Sequence, residues 1–462
     1  MPFQLERFRI TGLHGTGEID IPIKDNKLIL VGENGTGKTT TANFMYYFLA
    51  RRWDRMAEYQ FESVQVNMRS GTKVKSAEIS RQDIVHGTIT STHSSRRLPP
   101  SLLSTIERIR NEEGEGETLN DISVIQRLSD QYRISESVLY QYLVGSVDET
   151  NVEKSIKKRD EIDNLLTQML QAQVLYLPTF RRIEKALKHI SEDYNVNRDR
   201  SKTPTYRFGS RKREPFKELV EFGMDDVKNT LRDKRFELLR SNKLNDLAGI
   251  YLKDVIDEIL RDVSQEQLSQ LDDTEVNDAL RRVRKSLLSD RHKTKLKKTI
   301  AALRQQPQIN DIDKATLQVI VRLVQLHSQQ LKNETPMKSF VEICNKYLAG
   351  KELVFDNSTF DITVWVDSMN RHEEDGLGLD ALSSGEKQIV SLFSHLYLSR
   401  ENGFFVIIDE PEMSLSVPWQ REFLPDILGT NQCVGLVAVT HSPFIFDNGL
   451  ADYAHDIKEF WK

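Results

Sequence analysis

The stretch Lys27–Thr41, KLILVGENGTGKTTT, decides how the rest of the chain is read. Its apolar run, Leu28 to Val31, predicts a strand, and the pattern from Thr40 to Leu49 predicts a helix. Between them lies a Gly-x-x-x-x-Gly-Lys-Ser/Thr phosphate loop in its required setting, strand before and helix after. The glycines let the backbone curl so that successive N–H groups face phosphate oxygens, and the helix start adds its positive end. Gly32, Glu33, Asn34, Gly35, Thr36, Gly37, Lys38, Thr39 and Thr40 are therefore the candidate nucleotide-binding residues. Lys38 would reach the β- and γ-phosphates, and the Thr39 hydroxyl would ligate Mg2+ beside ATP.

Working outward, Phe3 to Ile23 reads as two strands around a turn at Gly12–Gly17, and Phe61 to Ser80 as a hairpin broken at Ser70-Gly71. Residues 99–145 become helical around an acidic loop at 111–117, and another helix runs from about Val152 to Ala172. Val174 to Pro178 reads as a central strand with Arg181 and Arg182 at its mouth. These arginines either serve a site at the sheet edge or pair with Glu184, and both readings stay open. Residues 193–215 form a polar, basic loop. Helices are expected over Phe216–Asp262, Thr274–Leu303, Lys314–Gln330 and Ser339–Leu348, with no sustained heptad. The basic residues Arg281, Arg282, Arg284, Lys285, Arg291, Lys293, Lys295, Lys297 and Lys298 read as a solvated face, or as a surface for DNA or an acidic partner. Leu353–Phe355 and Phe360–Val366 return to strand character.

Near the other end, Leu382-Ser383-Ser384-Gly385-Glu386-Lys387-Gln388 opens a helix with small residues whose hydroxyls and N–H groups suit a phosphate; alone, it could be a simple N-cap. Phe404–Ile408 is an apolar strand ending in Asp409-Glu410. The first carboxylate is placed to hold a metal ion and the second to orient or deprotonate water. A further strand, Gly435–Val439, ends in Thr440-His441, which makes His441 a second catalytic candidate.

Bulk properties agree with a soluble protein: 462 residues, 29% charged, 38% hydrophobic, net charge −5. That balance excludes a globally basic nucleic-acid binder. Two cysteines without metal-ligand spacing fit a reducing compartment, and no apolar run spans a membrane, so a cytoplasmic location is expected.

Taken together, Gly32–Thr39, Leu382–Gln388, Phe404–Glu410, Glu412–Leu415 and His441 resemble the Walker A, signature, Walker B, D-loop and switch histidine of ABC-type ATPases, in that family's order. The resemblance implies an α/β P-loop NTPase head, a mixed sheet with helices, carrying a helical insertion. Residues 1–98 and 351–462 would form the head, and 99–350 the insertion, interrupted by a head strand near 174–178. It also implies ATP and Mg2+ as cofactors, with Thr39 and Asp409 on the metal, and head-to-tail homodimers. There Ser383, Ser384, Gly385 and Glu386 of one copy face the phosphate loop of the other. Departures from the family pattern are Ser384 for a commoner Gly and Ser416 for a commoner His, and the usual Q-loop Gln is not placed.

Roughly 340 residues separate phosphate loop and signature, unlike a transporter subunit. Long coiled-coil arms are not expected, and about twenty residues after His441 leave no room for an appended Toprim nuclease. Tyr176–Glu184, Phe222–Val227 and Leu382–Gln388 resemble the PtuA family, ATPase subunits of Septu-type anti-phage systems. That resemblance implies a homo-oligomer governing a separate HNH nuclease, PtuB-like, with DNA as a further possible partner. A RecF-like DNA-repair ATPase and an ATP-binding scaffold are the alternatives. Glu410 and His441 argue against the scaffold, since assembly needs neither.

Overall fold

Alternating burial along Phe3, Leu5, Phe8 and Ile10 starts the fold: one face of the first strand is sealed and the other is not. The structure is a computed structural model describing residues 3–15, 17–89, 102, 128, 149–178, 216–218, 224–241, 271–283, 285, 288–303, 311–367, 376–401 and 403–462. Most of the expected helical stretch 99–145, the acidic loop 111–117, Arg181, Arg182, Glu184, the loop 193–215, Phe222, Gly223 and Arg284 lie outside the described residues.

In chain order the elements begin with β1 (Phe3–Leu13), β2 (Gly17–Pro22), β3 (Lys27–Val31), α1 (Lys38–Leu49), α2 (Trp53–Ala57), β4 (Ser63–Ser70) and β5 (Lys73–Ser80). Then come α3 (Arg81–Ile89), α4 (Glu149–Met169), β6 (Gln173–Leu177), β7 (Phe216–Glu218), α5 (Asp225–Ser241), α6 (Asp273–Arg282), α7 (Asp290–Leu303) and α8 (Asp311–Asn345). The series closes with β8 (Lys351–Phe355), β9 (Ile362–Val366), α9 (Ser384–Leu398), β10 (Phe404–Asp409), α10 (Val417–Leu428), β11 (Cys433–Val439) and β12 (Ala454–Asp456). These elements fall into two compact units, Met1–Val220 with Glu401–Lys462, and Glu221–Arg400.

The first unit is an α/β head with two sheets. Parallel and antiparallel strands, expected in one mixed sheet, segregate. An antiparallel sheet runs β2-β1-β4-β5, and a six-stranded sheet runs β12-β3-β11-β10-β6-β7 with every pairing parallel. Helix α1 is buried almost all round because residues of both sheets share its core. Phe48 of α1 meets Phe8 of β1 edge-on at 6.2 Å, and Tyr46 stacks on Tyr176 of β6 at 4.4 Å. Burying such a ring contributes about 1.5–3 kcal/mol. Asn26, 5% exposed, ties the two sheets together. Its side chain accepts from Leu5 N (2.6 Å) and donates to Val434 O (2.9 Å).

The second unit holds α5 to α9 and the β8–β9 hairpin. Here α9 and β8 pack on α8, and α9 also meets α5. Two expectations change. Phe216–Glu218, read as the start of a helix, is strand β7, because it pairs with the otherwise open edge of β6 and three residues are too few to show a period. The separate helices expected around Lys314–Gln330 and Ser339–Leu348 are one helix, α8, running through Pro336. Met337, Phe340 and Cys344 continue its buried face past the proline, so packing outweighs the lost backbone bond. The middle of that face is polar: Glu334 is fully buried and takes Arg282 (2.5 Å) and Lys338 (3.2 Å) as partners, beside Gln330.

Candidate nucleotide site

Three neighbouring parallel strands, β3, β11 and β10, end at the same edge of the sheet, and each delivers one part of the site. The carboxyl ends of parallel strands are where such sheets bind ligands. Beyond β3, Gly32, Gly35 and Gly37 adopt φ of 138°, 80° and 93°, values open to glycine but costly for other residues. The loop closes on itself: Thr36 Oγ1 donates to Glu33 O (2.8 Å) and Lys38 Nζ to Gly32 O (2.9 Å) and Glu33 O (2.6 Å). Lys38 is 4% exposed, so its charge lies inside the loop. Burial lowers its pKa, while Asp409, Glu410, Asp456 and Glu412 pull the other way.

Strand β10 is buried over its whole length and places Asp409 against the first turn of α1. Thr39 Oγ1 donates to Asp409 Oδ1 at 3.0 Å, joining two residues 370 positions apart. Among the described residues no group of three or more His, Cys, Asp or Glu side chains could hold a metal ion. A hydroxyl and a carboxylate are the sparse, hard-oxygen set that suits magnesium beside phosphates, so the residues fit that ion.

Glu410 follows with φ 53° and ψ 57°, a left-handed conformation that a non-glycine residue adopts at a cost of about 1–3 kcal/mol. Its N–H donates to Val439 O (2.8 Å), which holds the turn in place at the end of β11. His441, one residue beyond buried Thr440, is exposed. Reading the sequence placed Glu412 only as part of a loop, and the structure gives it a specific task. Its carboxylate accepts from Thr440 Oγ1 (2.7 Å) and from the His441 main-chain N–H (2.7 Å). Gln420 of α10 adds a second tie, accepting from Ser442 Oγ at 2.5 Å and donating to Leu415 O at 3.0 Å. Nothing local in sequence marks the ties to Thr440, His441 and Ser442, because each spans more than twenty residues.

The signature residues lie in the second unit. Ser383 caps α9 in a capping box: Ser383 N donates to Glu386 Oε2 (2.6 Å), and Glu386 N donates to Ser383 Oγ (3.4 Å). Lys351 also binds Glu386 Oε2, at 2.7 Å. Glu386 thus braces the helix start, while Ser383 and Ser384 stay exposed. The N-cap that the sequence allows is present at the start of this fifteen-residue helix.

The chain matches the AAA ATPase domain family over residues 4–446. It belongs to that family. No protein of curated function matches it in sequence. Among solved structures, the Smc head domain with an extended coiled coil bound to the C-terminal domain of ScpA, from Pyrococcus furiosus, is similar at 13% identity. That similarity covers 96% of this chain and 91% of that one, with a TM-score of 0.36. The Smc head domain with a coiled coil and joint from Pyrococcus yayanosii gives 13% identity, 96% and 93% coverage, and a TM-score of 0.30. Among the described residues no helix is long and apolar enough to cross a membrane.

Proposed function

We propose that this ATPase-family chain is the ATP-binding and hydrolysing subunit of a prokaryotic anti-phage defence complex and controls a separate HNH-type nuclease. The observation that carries the enzymatic half is the convergence of Lys38, Thr39, Asp409, Glu410 and His441 at the ends of adjacent strands β3, β10 and β11. Lys38 and the loop N–H groups hold the triphosphate. Thr39 and Asp409 would hold magnesium, which supplies charge neutralisation at the phosphates. Glu410 takes the proton of the attacking water, and its strained, pinned backbone keeps that carboxylate aimed. His441, just beyond β11 and tied through its main-chain N–H to Glu412, would meet the γ-phosphate. The exposed start of α9 serves the ATP of a second copy, so catalysis needs a head-to-tail homodimer.

The defence role and the nuclease partner rest on the resemblance of Tyr176–Glu184, Phe222–Val227 and Leu382–Gln388 to the PtuA family. The basic stretch of α6 and α7 adds little for DNA. Arg282 is committed to the buried Glu334, Lys285 pairs with Asp290, and Lys293 donates to Val283 O, so these three are already engaged within their own unit.

The test incubates the purified chain with ATP, plasmid or RNA, and magnesium or manganese. Phosphate release without cleavage is expected, with cleavage appearing only when an HNH protein encoded beside it is added. Cleavage by the homogeneous chain that survives further purification would overturn the division of labour. Tight ATP binding without turnover would leave the scaffold reading in its place.

A further inference from the structure

Residues 454–462 do something that neither the motifs nor the reaction requires. Strand β12 pairs with β3, the strand that feeds the phosphate loop, through Ala454–Ile29, His455–Leu30 and Asp456–Val31. The chain then turns back, and Trp461 bridges to Ile19 of β2, with Lys462 N donating to Glu18 O at 2.9 Å. This short segment therefore joins the parallel sheet to the antiparallel one.

On the way it packs against the phosphate loop, touching Thr36, Gly37 and Glu33. The Trp461 indole N–H donates to Thr36 O at 3.2 Å. Its ring lies so close to two glycines that a Cβ on Gly37 would come within 3.3 Å of Cζ2, and one on Gly17 within 2.3 Å of Cζ3. Lys458 Nζ binds Glu33 Oε2 at 3.0 Å. The far end is anchored where Lys462 meets Asp20 (2.8 Å), a carboxylate 3% exposed that also holds Arg7 and Arg9.

We infer that Trp461 is a positioning residue for nucleotide binding: it pins the Thr36 carbonyl and the Gly37 backbone so that the loop's N–H groups stay turned toward the phosphates. A loop of left-handed glycines has much conformational entropy to lose on closing around a ligand. A rigid indole packed on the Gly37 backbone and bonded to Thr36 O removes part of that cost beforehand. Lys458 acts alongside it through Glu33, with less effect because both side chains are exposed to water. The inference rests on the reading of Gly32–Thr39 as a nucleotide site.

The experiment uses the full chain and three variants, Trp461→Phe, Trp461→Ala and Lys458→Ala. Amide hydrogen exchange of residues 33–37 is measured without nucleotide, and Mg-ATP affinity by calorimetry. Trp461→Phe keeps a ring and loses one hydrogen bond, so loop exchange and Kd should each rise about threefold; Trp461→Ala should raise both about tenfold. Exchange in β4 and β5 should not change, which a general loosening of the fold would not allow. Unchanged exchange at 33–37 in the folded variants would overturn the inference, and so would faster exchange with an unaltered Kd. Should Trp461→Ala fail to fold, Trp461→Phe and Lys458→Ala decide. Should the unmodified chain bind no ATP, the nucleotide reading fails on its own, and the exchange data still judge the clamp.

Discussion

The two units solve opposite problems with helix starts. In the head, α1 begins inside a loop whose lysine and threonines are engaged by the head itself: Lys38 with Gly32 and Glu33, Thr39 with Asp409, Thr36 with Trp461. In the second unit, α9 begins with a self-sufficient capping box, and Ser383 and Ser384 face solvent. The first helix start is engaged by side chains and carbonyls of its own unit, while the second leaves Ser383 and Ser384 exposed. The lesson is that a motif's partner can be read from how fully its own unit satisfies it. Side chains already organised around a binding place belong to a site in that unit. Side chains that only cap their own helix have no further work there.

Changes within each half should therefore fail in different ways. Glu410→Gln should leave ATP binding intact and slow phosphate release about 10²–10⁴-fold, the usual contribution of a general base. Near-normal turnover would remove Glu410 from its role. Ser384→Arg should spare ATP binding by the isolated chain yet lower turnover by about 10²-fold, since displacing a reacting group is that costly. Mixing it with Lys38→Ala should restore activity, because one composite site in the mixed dimer is intact. A dead mixture in which mixed dimers are demonstrated would break the comparison between the two helix starts. Lys38→Ala alone should weaken ATP binding about 10- to 100-fold, the loss of a charged hydrogen bond worth about 1.5–3 kcal/mol, as calorimetry would read.

The smallest effect concerns anchoring charges. Asp20, almost wholly shielded, has its pKa pulled far below the usual carboxylate range, first by the Arg7 hydrogen bond, with Lys462 and Arg9 adding to it. A carboxylate depressed in the folded state contributes stability above its unfolded pKa of about 4, and this contribution fades as pH falls below that value. Asp20→Asn should thus lower the Tm at pH 7 and flatten its decline between about pH 5 and pH 2. In the second unit Asp380, which pairs with Lys228 in open solvent, should show neither effect when changed to Asn.

Most of the head was legible because its chemistry is local. Leu28–Thr39, Phe404–Glu410 and Leu436–His441 each carry strand, turn and functional side chain within a dozen residues, so composition alone exposes them. What stayed hidden depends on distant partners. Three residues of β7 become a strand only because β6 leaves an edge for them. The buried face of α8 passes through His327, Gln330 and Glu334, so a search for apolar periodicity stops where the ion pair with Arg282 begins. The hold of Glu412 on Thr440 and His441, and of Trp461 on Thr36, spans 28, 29 and 425 positions, and no pattern in a window could show it. Segregation of the strands into two sheets was likewise set by pairing rather than by residue type.

The place of β3 in its sheet also sets a timetable for the newborn polypeptide. Both neighbours of β3 come from late in the chain, Leu28 pairing with Val437 and Ile29 with Ala454. A ribosome working at about 5–20 residues per second needs about 20–80 s to make the intervening roughly 400 residues. Throughout that interval β3 has two bare edges, and α1, apolar on nearly every side, lacks half of its covering. Chain closure over that length costs little extra entropy but much time. Fragments that stop before residue 433 leave both edges of β3 bare and should precipitate rather than bind ATP.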